Sequence, residues 1–301
     1  MFALSLLKKK SHIEYNSASN EAEDLQKLFV RSATENKPLV IRRFGDSAGG
    51  IGTDAHTRSI DGFLGYLERI ADTKPDCQIQ GRPGSKVDIK DLREQFQSST
   101  ELRPQVINVL GFPLMQDPNL SGSIAFPEFL KDCDMLRLGL AAMATNFDQQ
   151  RNNSLAPNDS GFCVCTMEGS FTMVHQDITS TYIVMATGSK LWLLFPDTEK
   201  NRKKRLSWKP SDGWGLFEGC FVLDTHAGDL LNIPCGWHHA VYTPQDSLMH
   251  GGHYMMAENV GTNLEMTMRQ IDQDGLTNDP LYKLIACYRN LLEVHMSLVI
   301  F

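Results

Sequence analysis

Apolar residues recur at three- and four-residue intervals in the first part of the chain and alternate in short runs in the second, so two textures follow one another. Residues 21–33 place Ala22, Leu25, Leu28 and Phe29 on one helical face, with Asn20 as N-cap. Residues 38–41 read as a short strand that ends in charge and a glycine-rich loop, 45–52. Further helices are predicted over 60–71, capped by Ser59, over 88–97 and over 126–144, with a buried strand at 106–110. After a polar loop at 146–160 come short strands divided by Gly, Pro and Asp: 162–167, 172–177, 181–186, 191–195, 220–223, 229–233, 239–242, 249–255 and 264–268. Helical spacing returns over 279–301, through Leu281, Leu284, Ile285, Tyr288, Leu291 and Leu292.

Closely spaced short strands imply a mainly β fold, an antiparallel barrel or jelly roll. The expected organisation is a mixed α/β elaboration over 1–145 packed on the barrel, a catalytic β-barrel over 146–272, and a C-terminal helix over 273–301. A hydrophobic share of 42% excludes a disordered chain, and the apolar runs are far shorter than a membrane span. The N-terminal run puts its charge, Lys8-Lys9-Lys10, after the apolar stretch, the reverse of a secretory signal. An intracellular protein of the nucleus or cytoplasm is expected, with no membrane partner.

The formal charge of −7 argues against direct binding to nucleic-acid backbone and is compatible with a basic peptide partner. Lys8–Lys10 and Arg202–Arg205 are the basic clusters; a solvated loop is preferred for each over a nuclear import signal. The seven cysteines contain no C-x-x-C pair, so reduced buried thiols are expected rather than structural zinc or a disulfide framework.

The chemistry gathers in two places. In Val174-His175-Gln176-Asp177, alternate strand residues put His175 and Asp177 on one face. In the run Gly228-Asp229-Leu230-Leu231-Asn232-Ile233-Pro234-Cys235-Gly236-Trp237-His238-His239-Ala240-Val241, a strand ends at a turn and the chain re-enters with two histidines. Two imidazoles and one carboxylate on one face of an octahedron make the facial triad of non-haem Fe(II) oxygenases, with open positions for cosubstrate and dioxygen. Taken singly, H-x-D and His-His are commonplace surface features; together on barrel strands they point to a metal. A cupin without oxygenase activity is the alternative metal reading. The residues alone leave His238 and His239 both open as the third ligand.

As a set these motifs resemble the JmjC family of Fe(II)- and 2-oxoglutarate-dependent oxygenases. The resemblance is carried by Thr172-Met173-Val174-His175-Gln176-Asp177, by Gly188-Ser189-Lys190-Leu191-Trp192 and by the turn quoted above. The run from Trp237 to Leu248, with Gly251-Gly252 after it, is most similar to the PHD-finger and F-box lysine demethylase subgroup. It covers about residues 161–270 and reaches back more weakly to Asn108.

The resemblance implies a double-stranded β-helix, the jelly-roll or cupin-like JmjC barrel, with helical elaborations at both ends. It makes His239, the fifth residue after Pro234, the metal ligand beside His175 and Asp177, and gives His238 a packing role. It assigns Lys190 and Thr172 to the distal carboxylate of 2-oxoglutarate and Asn108 to its metal-proximal end. On the residues alone, Lys190 reads as a strand-edge charge and Asn108 as a bulge residue. Tyr182 is the candidate for the family's pocket tyrosine, in an interval two residues shorter than the subgroup's. His253 stands where the subgroup has Asn, before an insertion, and is a candidate pocket residue.

The implied cofactors are Fe(II), 2-oxoglutarate and O2. Cosubstrate decarboxylation to succinate and CO2 would be coupled to hydroxylation of a protein or peptide, with a basic histone-like tail as one candidate. An N-methyl group would leave as formaldehyde, whereas a carbon centre would keep a stable alcohol; demethylase and hydroxylase share every residue named. A catalytically silent JmjC interaction module is the reading from a different class, but neither a ligand nor the lysine is lost. The C-terminal helix leaves monomer and homodimer both open.

Overall fold

The computed structural model describes residues 12–16, 25–46, 58–70, 76–79, 82–112, 127, 129–136, 161–207, 217–272, 285, 288 and 289. In chain order its elements are β1 (Ile13–Asn16), α1 (Leu25–Glu35), β2 (Leu39–Arg42), α2 (Ile60–Ile70), β3 (Asp76–Ile79), β4 (Arg82–Lys86), α3 (Ile89–Gln97), β5 (Ile107–Phe112), α4 (Leu130–Cys133), β6 (Gly161–Thr166), β7 (Phe171–Gln176), β8 (Ser180–Phe195), α5 (Glu199–Ser207), β9 (Phe221–His226), β10 (Leu230–Ile233), β11 (His238–Tyr254) and α6 (Val260–Asp272). Three short 3-10 turns add to these.

Helices with clear caps lie where the pattern put them. The Ser59 hydroxyl accepts from the Gly62 N–H at 3.1 Å, and the Asp88 carboxylate accepts from the Lys90 N–H at 2.9 Å, each satisfying a donor that the first turn leaves over. In α1 the spacing of Leu28, Phe29 and Ser32 buries one face. Of the helix predicted over 126–144, α4 and residues 135–136 are helical, 127, 129 and 134 are not, and the rest lies outside the described residues. Of the segment 279–301, residues 285, 288 and 289 are helical and the rest lies outside the described residues, as does any dimer contact it would make.

Two differences concern the strands. The pairs predicted at 181–186 with 191–195, and at 239–242 with 249–255, are single long strands, β8 and β11. The polar stretches between them are irregularities in pairing, not strand ends: the register shifts between Tyr242, Gln245, Leu248 and Met249. The strand predicted at 264–268 is helical instead, inside α6. There Asn259, Asn263, Thr267 and Gln270 are buried at helical spacing while Leu264 and Met268 are exposed, so apolar alternation misreads a helix whose inner face is largely polar. Asn263 donates from Nδ2 to the Asn259 carbonyl and Thr267 to the Asn263 carbonyl, so these two buried donors are satisfied within the helix. The Arg202–Arg205 cluster likewise lies on α5 rather than in a loop.

Because β8 and β11 are long, each serves two sheets. Their halves Ser180–Thr187 and Leu248–Tyr254 sit in a large mixed sheet of order β1-β2-β10-β8-β11-β6-β5-β3-β4. Their other halves form a smaller sheet, β9-β8-β11-β7. The two sheets face each other as a jelly roll, and Ile183, Met185, Trp192, Leu231, Val241 and Met249 fill the space between. Strands from the first third join the large sheet directly, β2 on β10 and β5 on β6. Helices α2 and α3 cover its outer face over Cys163 and Cys165, and α1 covers it over Tyr182 and Tyr254.

The passage between sheets is tight at Gly188, where φ is +76° and an added Cβ would lie 2.0 Å from the Asp246 carbonyl oxygen. Arg103 grips the Asp246 carboxylate bidentately, both contacts at 2.6 Å, and locks the bend from the α3 side. Gly188→Ala should lower the unfolding free energy by at least about 1–3 kcal/mol, the cost of a strained backbone position, before any clash is added. Urea unfolding of the two proteins checks this; equal midpoints would show that the bend tolerates a side chain.

Candidate metal centre

His175 lies next to the end of β7 and faces His239 near the start of β11; the two are direct cross-strand partners with ring centroids 4.1 Å apart. Asp177 follows two residues later, with its Oδ2 4.0 Å from His239 Nε2. One ligand atom from each of His175, Asp177 and His239 lies within 4.8 Å of the others. The Gly236 N–H donates to the Asp177 carbonyl at 2.9 Å, tying the carboxylate's backbone to the Pro-Cys-Gly turn. At that turn Gly236 has φ +80°, a left-handed position that favours glycine.

The imidazoles are set for a cation. His175 Nδ1 donates to the Met173 carbonyl at 2.8 Å and His239 Nδ1 to the Trp237 carbonyl at 3.2 Å, the tautomer that leaves both Nε2 lone pairs available to a cation. Burial, helped by the neighbouring His175, pushes His239 down to about 3, so its ring is neutral. Burial opposes ionisation of Asp177, but His239, His253, His175 and the Thr181 hydroxyl outweigh it and hold the carboxyl below its ordinary range. Two neutral nitrogens and one anionic oxygen fit a divalent first-row metal.

His238 points the other way. It is fully buried beside Phe217, at 5.9 Å between ring centroids, and burial pushes it down to about 3. Neither ring nitrogen has a hydrogen-bond partner among the described residues. The structure therefore brings His239, and not His238, to His175 and Asp177.

The Thr172 to His175 interval is odd, which on a regular strand would send the two side chains to opposite faces. Between the pairs His239–His175 and Val241–Thr172, β7 has one residue more than β11. That bulge turns both inward. Thr172 Oγ1 accepts from Asn108 Nδ2 at 3.2 Å, and Asn108 Oδ1 accepts from Thr166 at 2.9 Å, so three elements meet in one polar chain. Lys190 is 2% exposed and donates from Nζ to Thr243 Oγ1 at 2.8 Å, with no acidic partner among the described residues. Burial lowers its ammonium to about 7. A buried cation without an anion, beside hydroxyls, fits the carboxylate of a small cosubstrate.

Tyr182 does not join this group. Its neighbours Ile183 and Thr181 face the interior, and Tyr182 packs on the outer side with Phe29 and Tyr254. His253 does approach the metal group, through Thr181 and Thr179. Sequence reasoning missed Thr181 and Thr243. Thr243 was accessible, since 239, 241 and 243 share a face of β11; Thr181 required the β8–β11 pairing.

Residues 147–262 match the JmjC domain family. The chain is similar to proteins named JmjC domain-containing histone demethylation protein 1: that of Candida albicans is 26% identical over 82% of this chain and 54% of its own length. The Candida glabrata protein is 24% identical over 78% of this chain and 57% of itself, and the Saccharomyces cerevisiae protein 31% identical over 45% and 28%. The chain thus spans little more than half, or less, of these relatives. Among the described residues no helix is long and apolar enough to cross a membrane.

Two outcomes are expected. His239→Ala and Asp177→Ala should lose binding of Co(II), measured by titration of the visible absorption, whereas His238→Ala should retain it; the opposite histidine pattern would shift the turn by one residue. The second outcome concerns pH. Between about 7, the folded value of Lys190, and its ordinary 10.5, the unfolded chain binds a proton that the folded chain does not. Stability of the ligand-free protein should therefore rise with pH across that window, by up to about 1.4 kcal/mol per unit from this group. Below about 7 the penalty is complete. Urea unfolding of wild type and Lys190→Met across the window should show this slope lost in the variant.

Proposed function

We propose, from the match of residues 147–262 to the JmjC domain family, that this protein is an Fe(II)- and 2-oxoglutarate-dependent oxygenase of the lysine-demethylase type acting on a protein substrate. The observation that carries the reading is the pairing, in one barrel interior, of the His175–Asp177–His239 group with a buried Lys190 that has no acidic partner among the described residues. When bound, iron with 2-oxoglutarate and O2 supplies the oxidising power for hydroxylating a C–H or N-methyl group.

The chain's own residues bind, orient and exclude water. His175, Asp177 and His239 hold the metal from one side. Lys190 meets the cosubstrate's distal carboxylate, with the Thr172 hydroxyl free to donate because its oxygen already accepts from Asn108. Trp192, buried beside His239 at 6.1 Å and held by its Nε1–H on Thr225 at 2.9 Å, keeps that end of the barrel dry. A net charge of −7 suits a basic peptide, and the relatives' names point to histone tails, which would place the protein in the nucleus.

The test is turnover of 2-oxoglutarate to succinate with Fe(II), together with mass spectrometry of methylated histone-tail peptides. Loss of methyl mass supports demethylation; gain of one oxygen makes the enzyme a hydroxylase; no succinate from wild type overturns the proposal. Lys190→Met should raise the 2-oxoglutarate requirement by about two to three powers of ten, the cost of breaking a buried charged pair.

A further inference from the structure

Thr181 and His253 face each other directly where β8 meets β11. An ionised carboxylate only accepts, so the Thr181 hydroxyl proton goes to Asp177 Oδ2, at 3.0 Å. With that proton committed, Thr181 can only accept from His253, whose Nδ1 lies 3.2 Å from Oγ1. Nδ1 of His253 therefore carries hydrogen, and the same N–H reaches Thr179 Oγ1 at 3.1 Å. The tautomer is set from the carboxylate outward, and imidazole and imidazolium alike can meet it.

The surroundings hold this arrangement. The His253 ring lies against Phe162, with centroids 5.3 Å apart. Phe162 in turn fills the space that a side chain at Gly251 would need, 2.6 Å from an added Cβ. On the other side, the Asp177 backbone is pinned by the Gly236 N–H, so rotation of the carboxylate is the freedom left to remove.

We infer that His253 is a positioning residue for the metal-binding carboxylate: by donating from Nδ1 it denies Thr181 a competing acceptor and keeps that hydroxyl on Asp177. The inference rests on the metal centre proposed above. Partners of this kind orient ligands, and their loss weakens metal binding by about 10–100-fold. An asparagine at 253 can set its amide nitrogen where Nδ1 lies, whereas a glutamine carries it one methylene further.

The test is Co(II) titration of the full chain, read from the visible absorption, with thermal unfolding of the metal-free proteins alongside. His253→Leu and Thr181→Val should each weaken Co(II) binding by about 10–100-fold and alter the spectrum, and the double variant should be no weaker than the worse single one. His253→Asn should restore binding to within about threefold and His253→Gln should not, a contrast that a merely structural role would not produce. Unchanged affinity and spectrum in His253→Leu, multiplying effects in the double variant, or His253→Asn as weak as His253→Gln would overturn the inference. The last comparison carries the test should the leucine variant not fold. Asp177→Ala separates the two levels. If it binds Co(II) like wild type, the metal reading itself fails; if it loses the metal while His253→Leu keeps full affinity, only the positioning role fails.

Discussion

The site depends on two strands passing from one sheet into the other without breaking. β8 carries Thr181 in the large sheet and Lys190 in the small one; β11 carries His239 in the small sheet and His253 in the large one. His239, the buried lysine, Thr181, Thr243 and His253 are therefore held by the same two backbones, while His175 and Asp177 come from β7 and the residue after it, paired on β11. The bend that makes this geometry works because Gly188 leaves room for the Asp246 carbonyl and Arg103 fixes the Asp246 carboxylate. A rigid scaffold of paired strands gives the site its precision.

Against that rigidity stands an interior that is costly to build. Lys190 is desolvated with a threonine hydroxyl as its hydrogen-bond partner, and Asp177 is held among imidazoles. Such groups reduce stability until their counterparts arrive. A metal and an anionic cosubstrate binding there would stabilise the folded state by mass action, which would link folding to loading. Apolar packing by Trp192, Met185 and Val241 surrounds the polar groups and supplies the opposing stabilisation.

Some residues of the most recognisable motif are structural rather than chemical. Asp229, in the Gly-Asp turn, is buried and receives Arg42 at 2.7 Å, the Arg43 N–H at 3.1 Å and the His226 N–H at 3.1 Å. It ties the β9–β10 turn to the N-terminal strand β2, and so aims the turn at Pro234 that leads to His239. A motif read along the chain does not distinguish a carboxylate that binds a metal from one that holds a turn; the partners do.

Local physics was legible in the sequence by itself. The capped helices α2 and α3, the alternation of the barrel strands, and His175 with Asp177 on one side all follow from interactions within a few residues. The tertiary structure decided whatever depended on which strand lies next to which. Thr172 joins His175 through a bulge that exists only opposite β11. Tyr182 is turned outward by the parity of β8, and residues 264–268 lie in a helix whose buried face is largely polar, which apolar alternation along the chain does not reveal. Thr181 reaches Asp177 four residues back, but meets His253, far along the chain, only because β8 pairs with β11. Side-chain direction in a sheet has a period of two, so a one-residue bulge or slip reverses it, and that residue is placed by pairing, not by local preference.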